Sequence, residues 1–136
     1  MKLRVLFLCT GNSARSQMAE AIVNARLGDE WQAFSAGTDP AGYVHPMAVR
    51  VLTEIGIEHK GRTKSVSEFR DLPFDLVVTL CDDAAQNCPV WLGPGRREHL
   101  SLPDPAEAQG TEDEILAAFR AVRDDIVDKV LALLRQ

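Results

Sequence analysis

The stretch Val5-Leu6-Phe7-Leu8-Cys9-Thr10-Gly11-Asn12-Ser13-Ala14-Arg15-Ser16 decides the fold of this chain. Its apolar start is typical of a buried strand, and the pattern from Gln17 to Leu27 is typical of a helix. Cys9 and Arg15 therefore flank a loop that joins a strand to a helix. The backbone N–H groups of such a loop can converge on an anion, and the helix N-terminus adds its positive dipole end.

These surroundings favour a nucleophilic thiol at Cys9. A positive environment lowers the pKa of a thiol and keeps it as the thiolate. The planar guanidinium of Arg15 can bond two oxygens of a tetrahedral oxyanion at once. A thiol that only fills the core is the alternative, but core packing explains neither Gly11-Asn12 nor Arg15. The predicted oxyanion-binding residues are Thr10, Gly11, Asn12, Ser13, Ala14, Arg15 and Ser16.

Length and composition predict one soluble domain over residues 1–136. The chain is 46% hydrophobic and 26% charged, as in ordinary globular proteins. We find no apolar run of the ~20 residues that a membrane helix needs. The start Met1-Lys2-Leu3-Arg4 lacks the long apolar region of a signal peptide. We therefore expect a monomer in the cytoplasm, with no membrane partner.

The net charge of −5 argues against binding to nucleic acid or to an anionic membrane surface. An anionic substrate must then be captured locally, by Arg15 and its loop. Three cysteines in a reducing compartment also argue against structural disulfides.

Apolar runs alternate with helical patterns, which predicts a small doubly wound α/β domain: four parallel strands with helices on both faces. The predicted strands are Leu3–Leu8, Trp31–Ala36, Phe74–Leu80 and His99–Leu102. The predicted helices are Ser16–Leu27, one from Pro46 to Gly56, a short one from Ser65, and a long one from the capping box Thr111-Glu112-Asp113-Glu114 to Leu134. The core side of the last helix is predicted to hold Ile115, Phe119, Val122, Ile126, Val130 and Leu133.

A second thiol, Cys81, follows the third predicted strand. Neighbouring strands lie ~4.8 Å apart, so Cys81 can reach Cys9 if strands 1 and 3 are adjacent. A thiol beside a thiolate that holds an oxyanion can displace the adduct and leave a disulfide. That reaction reduces the central atom of the anion. Hydrolysis of an ester does not require such a second thiol.

The third thiol, Cys88, is too far from Cys81 to pair with it if the segment between them is helical. Seven residues of helix separate two Cα atoms by about 10 Å, whereas a disulfide tolerates ~7 Å. We therefore predict that residues Asp82 to Gly95 rearrange on oxidation. Two alternatives are an inert thiol at Cys88 and a zinc site. The zinc site would need Cys81 and Cys88 to be completed by residues among His45, His59 and His99.

Asp104 is the predicted general acid. It follows the fourth predicted strand, and its flanking prolines limit where the carboxylate can point. The alternative is a turn aspartate, because Asp-Pro is common in turns. Asp82 and Asp83 are interpreted as solvated charges or as a helix start.

With these residues identified, the chain resembles the thioredoxin-coupled arsenate reductases, which share the fold of the low-molecular-weight protein tyrosine phosphatases. The motifs behind the resemblance are Cys9 to Glu20, Ser35-Ala36-Gly37, Val77 to Cys81, Cys88-Pro89, Arg97-Glu98-His99, Asp104-Pro105-Ala106 and Gln109 to Glu112.

The resemblance implies a relay of three cysteines and no tightly bound cofactor. Cys9 would attack arsenate while Asp104 helps a hydroxide to leave. Cys81 would then attack the adduct, releasing arsenite and leaving a Cys9–Cys81 disulfide. Cys88 would take over the pairing, giving a Cys81–Cys88 disulfide that thioredoxin reduces.

Two positions depart from the family pattern. Relatives often carry a cysteine where this chain has Ala14, but the relay does not use it. Some relatives bind potassium near the loop, and the matching positions here are Asn12, Glu20, Ser35 and Thr63. An aspartate of that site appears here as Ser65, which removes an anionic oxygen ligand. We therefore expect a weakened cation site at these positions and do not predict bound potassium.

Two other functions compete with arsenate reduction. A phosphatase would use the same loop. The tyrosine phosphatases, however, line their cleft with aromatic residues, and many carry tyrosines after the acid. Here Ala106-Glu107 follows Asp104, and Tyr43 is the sole tyrosine. We expect phosphatase chemistry only as a side activity, because it leaves Cys81 and Cys88 unexplained. A redox or oxyanion sensor would use the same thiols without turnover.

Overall fold

The computed structural model describes residues 2–86 and 95–135. Its four strands form one parallel sheet with the order β2-β1-β3-β4. The strands are β1 Leu3–Cys9, β2 Trp31–Gly37, β3 Leu76–Thr79 and β4 Arg96–His99. The helices are α1 Arg15–Arg26, α2 Pro46–Glu54, α3 Asp82–Gln86, α4 Glu112–Asp125 and α5 Leu131–Leu134. A π turn, Ile126–Val130, joins the last two, and 3₁₀ turns cover Val66–Phe69 and Pro105–Glu107.

The order of the strands reverses at β1: β2 is added on one side of it, and β3 and β4 are added on the other. This strand pairs with β2 on one side and with β3 on the other, so that Leu8 lies opposite both Ala36 and Thr79. The chains that leave β1 and β3 then diverge, which opens a crevice at their carboxyl ends. Strands β1 and β3 are therefore adjacent, which was the condition for Cys81 to reach Cys9.

Both faces of the sheet are covered. Ser35 of β2 donates a hydrogen bond to Glu20 of α1, which assigns that face to α1. Phe34 points to the other face because strand side chains alternate. There its ring packs edge-on against Phe69 of the 3₁₀ turn, with centroids 5.7 Å apart, and against Phe74 at 5.6 Å. The predicted doubly wound fold is confirmed.

Burial explains why the opening stretch is continuously apolar. Val5 to Leu8 have no exposed surface, as expected for a central strand of a parallel sheet. In the C-terminal helical region Phe119, Val122, Ile126 and Val130 are buried as predicted. The predicted core residues Ile115 and Leu133 are half-buried against that core. No helix within the described ranges is both long and apolar enough to cross a bilayer.

The prediction for the fourth strand is wrong by three residues. The strand covers Arg96–His99, not His99–Leu102. It is an edge strand of polar residues, three of them exposed, so it lacks the apolar pattern used to find strands. Leu102 is buried beyond its end, where its N–H donates to the Leu80 carbonyl at 2.9 Å. The other bounds differ from prediction by one or two residues, as at the start of β3.

Candidate active site

The Cys9 sulfur is surrounded by hydrogen-bonding groups of its own loop. The Asn12 N–H donates to Sγ at 3.2 Å, and a hydrogen bond of 2.9 Å joins Sγ to the Ser16 hydroxyl. Cys9 is 2% exposed, so these groups rather than water solvate the sulfur. N–H and O–H donors on a buried sulfur stabilise its negative charge. The arrangement fits the predicted nucleophile.

Asn12 gives the loop its curvature. Its φ of 49° lies in the left-handed region, which asparagine tolerates better than most residues. The buried side chain is hydrogen-bonded through both polar atoms: Nδ2 donates to the Ser16 hydroxyl, while Oδ1 accepts from Gln17 Nε2 and from the Lys64 N–H. These contacts hold an otherwise unfavourable backbone conformation in place.

A close backbone approach at Gly37 leaves no room for a side chain behind the loop. A Cβ atom there would lie 2.5 Å from the Thr10 carbonyl oxygen and 3.1 Å from the Asn12 nitrogen. The carboxyl end of β2 therefore packs directly on the backbone of the loop.

Arg15 is buried and held from one side. Its Nη1 donates to the Leu102 carbonyl at 3.1 Å, and its Nη2 lies 3.7 Å from Asp104 Oδ2. Asp104 also accepts from the Ala106 N–H, so it caps a turn as in the alternative interpretation. The structure therefore brings the predicted acid to the predicted anion-binding arginine, in addition to its local role.

The loop opens into a cleft of about 160 Å³. Its walls include the predicted Cys9, Gly11, Ser13, Ala14, Arg15 and Asp104. Thr10 and Ser16 lie behind this surface, against the two sulfurs. The walls also include Ala41, Tyr43, His45 and Ala106, which sequence analysis did not assign to binding. Ser13 connects the anion-binding loop to this second part of the wall, because its hydroxyl donates to the Tyr43 carbonyl at 2.7 Å.

His45, which the sequence suggests only as a candidate zinc ligand, forms a wall of the cleft. Its Nδ1 accepts from the Met47 N–H at the start of α2, so the proton of the neutral ring is on Nε2. Burial lowers the pKa of His45, and the nearby negative charge of Asp104 opposes that shift in part. Its ring packs 4.6 Å from that of Phe119, which fixes its place. The cap position before Pro46 was the one available signal in the sequence.

Cys81 lies at the edge of the same loop. Its sulfur is 3.3 Å from the hydroxyl of Thr10, the residue that follows Cys9. The Ala84 N–H also donates to this sulfur at 3.3 Å, from the first turn of α3. Cys81 is 8% exposed. The two thiols predicted to react with each other are thus both buried at the crevice between β1 and β3.

Cys88 lies outside the described residues, as does most of the segment predicted to rearrange. Asp82, at the start of that segment, is exposed and contacts His99 at 3.0 Å. Within residues 2–86 and 95–135, no cluster of three or more His, Cys, Asp or Glu side chains could hold a metal. The described part of the chain therefore offers nothing in favour of the zinc alternative.

The residues matched to a potassium site do not fit potassium in this chain. Two of them, Glu20 and Ser35, face the ammonium group of Lys64, at 3.7 Å from Oε1 and 3.4 Å from Oγ. The Asn12 amide oxygen is occupied by two N–H donors. A metal cation would have to share this space with a fixed positive charge, and Coulomb repulsion opposes that.

Comparison with known proteins agrees with this geometry. Residues 4–136 match the family described as low molecular weight phosphotyrosine protein phosphatase. An arsenate reductase of Bacillus subtilis (strain 168) is 47% identical over 127 residues, which cover 93% of this chain and 91% of that protein.

Solved structures agree as well. An arsenate reductase in the phosphate binding state superposes with a TM-score of 0.82 at 30% identity, over 99% of this chain and 98% of the other. A thioredoxin-dependent arsenate reductase of Corynebacterium glutamicum superposes with a TM-score of 0.71 at 27% identity. That match covers 99% of this chain and 64% of the other.

Proposed function

This chain belongs to the low molecular weight phosphotyrosine protein phosphatase family, and we propose that it is an arsenate reductase that uses thioredoxin as its electron donor. One observation carries the proposal: a second buried thiol, Cys81, lies against the loop that holds the nucleophile. Phosphate-ester hydrolysis needs one thiol, whereas reduction of a bound oxyanion needs a second one. The names of the relatives support arsenate as that oxyanion.

In the first step the Cys9 thiolate attacks arsenic and forms a sulfur–arsenic bond. The loop N–H groups and the Arg15 guanidinium, which is anchored by its bond to the Leu102 carbonyl, hold the arsenate oxygens. A hydroxide leaves from arsenic and takes a proton from Asp104, which lines the same cleft 3.7 Å from Arg15.

In the second step the Cys81 thiolate attacks the Cys9 sulfur. A disulfide forms as the sulfur–arsenic bond breaks, and its electron pair stays on arsenic, which leaves as arsenite. Arsenic gains two electrons and the two sulfurs lose them, so the step balances without another oxidant or reductant. Cys88 then attacks the Cys81 sulfur and releases Cys9 as a thiolate, and thioredoxin reduces the Cys81–Cys88 disulfide.

The proposed function is tested by coupling arsenate to thioredoxin, thioredoxin reductase and NADPH. We expect NADPH consumption to continue over many turnovers, with one arsenite formed per NADPH. Consumption that stops after one equivalent favours the sensor. Hydrolysis of phosphate esters without NADPH consumption favours the phosphatase, which the family match makes the second candidate.

Replacing Asp104 by asparagine tests the acid role. The amide oxygen can still accept from the Ala106 N–H, so the turn remains capped. We expect kcat for arsenate to fall about 100-fold because a general acid contributes roughly that much or more. The measurement is steady-state NADPH consumption, with Glu107→Gln in the same turn as the control. An unchanged kcat in Asp104→Asn leaves Asp104 with its turn-capping role alone.

Replacing Gly37 by alanine tests how exactly the loop must be placed. The added Cβ has to push the Thr10 carbonyl away from 2.5 Å, and this displaces the loop that carries Cys9. We expect arsenate turnover to fall about 100-fold, because a displacement near 1 Å in an active site can cost that much. Gly56→Ala is the control: at φ +80° it costs ~1 kcal/mol of stability but meets no neighbour. Equal activities of the two variants would contradict the expected close approach.

A further inference from the structure

A buried positive charge lies beneath the anion-binding loop, and the proposed reaction does not use it. Lys64 is 9% exposed. Its Nζ lies 3.0 Å from the Arg62 carbonyl, 3.4 Å from the Ser35 hydroxyl and 3.7 Å from a Glu20 carboxylate oxygen. Ser35 completes the cluster by donating to the same Glu20 oxygen at 3.1 Å. Removing a buried charge that is paired in this way leaves an uncompensated partner, so the cluster is costly to alter.

The backbone of Lys64 connects this charge to the nucleophile. Its N–H donates to the Asn12 side-chain oxygen at 2.9 Å, and its carbonyl accepts from the Gly37 N–H at 2.8 Å. Asn12 in turn donates its own N–H to the Cys9 sulfur. A shift of Lys64 therefore reaches Cys9 through two hydrogen bonds and the strained backbone of Asn12.

We propose that the ammonium group of Lys64 is a built-in structural cation that keeps the loop in its anion-binding conformation. A carboxylate, a hydroxyl and a backbone carbonyl are the oxygen donors that a hard cation takes, and here a lysine satisfies them. Lys64 is thus a positioning residue. Its presence makes the protein independent of added cations, and its removal creates a cation-dependent protein.

The test uses a background in which Cys81→Ser and Cys88→Ser leave Cys9 as the sole thiol. The rate of Cys9 alkylation by iodoacetamide, and its protection by arsenate, are measured at constant ionic strength. Tetramethylammonium chloride, whose cation is too large for the site, is compared with KCl and NH₄Cl. Three substitutions are added: Lys64→Ala leaves a space, Lys64→Met fills it without charge, and Lys60→Ala removes an exposed lysine nearby as the control.

In tetramethylammonium chloride we expect Lys64→Ala and Lys64→Met to bind arsenate about tenfold more weakly, a typical coupling between two sites. KCl or NH₄Cl should restore most of the loss in Lys64→Ala and none in Lys64→Met. The unsubstituted background and Lys60→Ala should not respond to the choice of cation. Linkage also requires that arsenate tighten potassium binding to Lys64→Ala by the same factor.

Two outcomes overturn the inference. One is unchanged arsenate protection in both Lys64 variants. The other is a loss in Lys64→Ala that no small cation restores. The inference uses arsenate as the anion and in that respect rests on the proposed function. The inference about Lys64 and the proposed function can fail separately. If arsenate does not protect Cys9 in the unsubstituted background, this result counts against the proposed function alone. The alkylation rates without arsenate still report whether Lys64 positions Cys9.

Discussion

Replacing Cys81 by serine is expected to abolish arsenite formation while leaving the nucleophile intact. The Cys81 sulfur lies 3.3 Å from the Thr10 hydroxyl at the edge of the loop, and a serine there keeps the size and a hydrogen-bonding atom. It cannot form a disulfide, so the thiol that we propose breaks the sulfur–arsenic bond is missing. Arsenite is measured in a single turnover without thioredoxin, where the wild-type protein should release one equivalent.

Cys9→Ser is the matched control for this prediction. It removes the nucleophile, so it should lose arsenite formation and also the slow hydrolysis of para-nitrophenyl phosphate. Cys81→Ser should lose only the first of these, because ester hydrolysis requires one thiol. If Cys81→Ser still releases one equivalent of arsenite, then another thiol resolves the adduct and the proposed order of the relay is wrong.

The placement of Cys9 and Cys81 could be predicted because topology alone brings them together. Cys9 ends β1 and Cys81 comes two residues after β3, both strands are largely buried, and parallel strands present their carboxyl ends at one edge. The fourth strand was misplaced since Arg96–His99 has an exposed edge pattern, which sequence analysis cannot separate from a polar loop. Strand pairing there is a property of the assembled sheet, not of the local residues.

The contacts among the polar groups beneath the loop could not be predicted from the sequence for a similar reason. Gln17 donates to Asn12 and to the Arg62 carbonyl, and its Oε1 lies 2.6 Å from His59 Nε2. Burial lowers the pKa of His59. The negative charge of Glu20 raises this pKa in part, and the positive charge of Lys64 lowers it. The stretch from Glu58 to Arg70 is polar and ambiguous in sequence, and the short helix predicted from Ser65 gives no sign that Lys64 is buried. Only long-range contacts bring Lys64 under the loop.

The segment after β3 is expected to change shape if the relay ends at Cys88 and the helix that begins as α3 continues to that residue. Cys81 is held at the start of α3 by the Ala84 N–H, and Ala84 is itself buried. A helix continued to residue 88 would hold the two thiols about 10 Å apart, beyond the ~7 Å of a disulfide. We therefore propose that α3 unwinds on oxidation. Amide exchange in residues 82–86 should be faster in the oxidised protein than in the reduced protein, and equal rates would contradict the unwinding.

Replacing Cys88 by serine is expected to stop the enzyme after one arsenite per chain, even with thioredoxin and NADPH in excess. The variant can still form the Cys9–Cys81 disulfide, but Cys9 and Cys81 are only 2% and 8% exposed in the reduced protein, so we expect thioredoxin not to reach either sulfur. The measurement is a burst of one equivalent of NADPH-independent arsenite followed by no NADPH consumption. Dithiothreitol, a smaller dithiol, should restore slow cycling. Sustained cycling of Cys88→Ser with the thioredoxin system and without dithiothreitol would show that thioredoxin reduces the Cys9–Cys81 disulfide directly. Cys88 would then have no part in the relay.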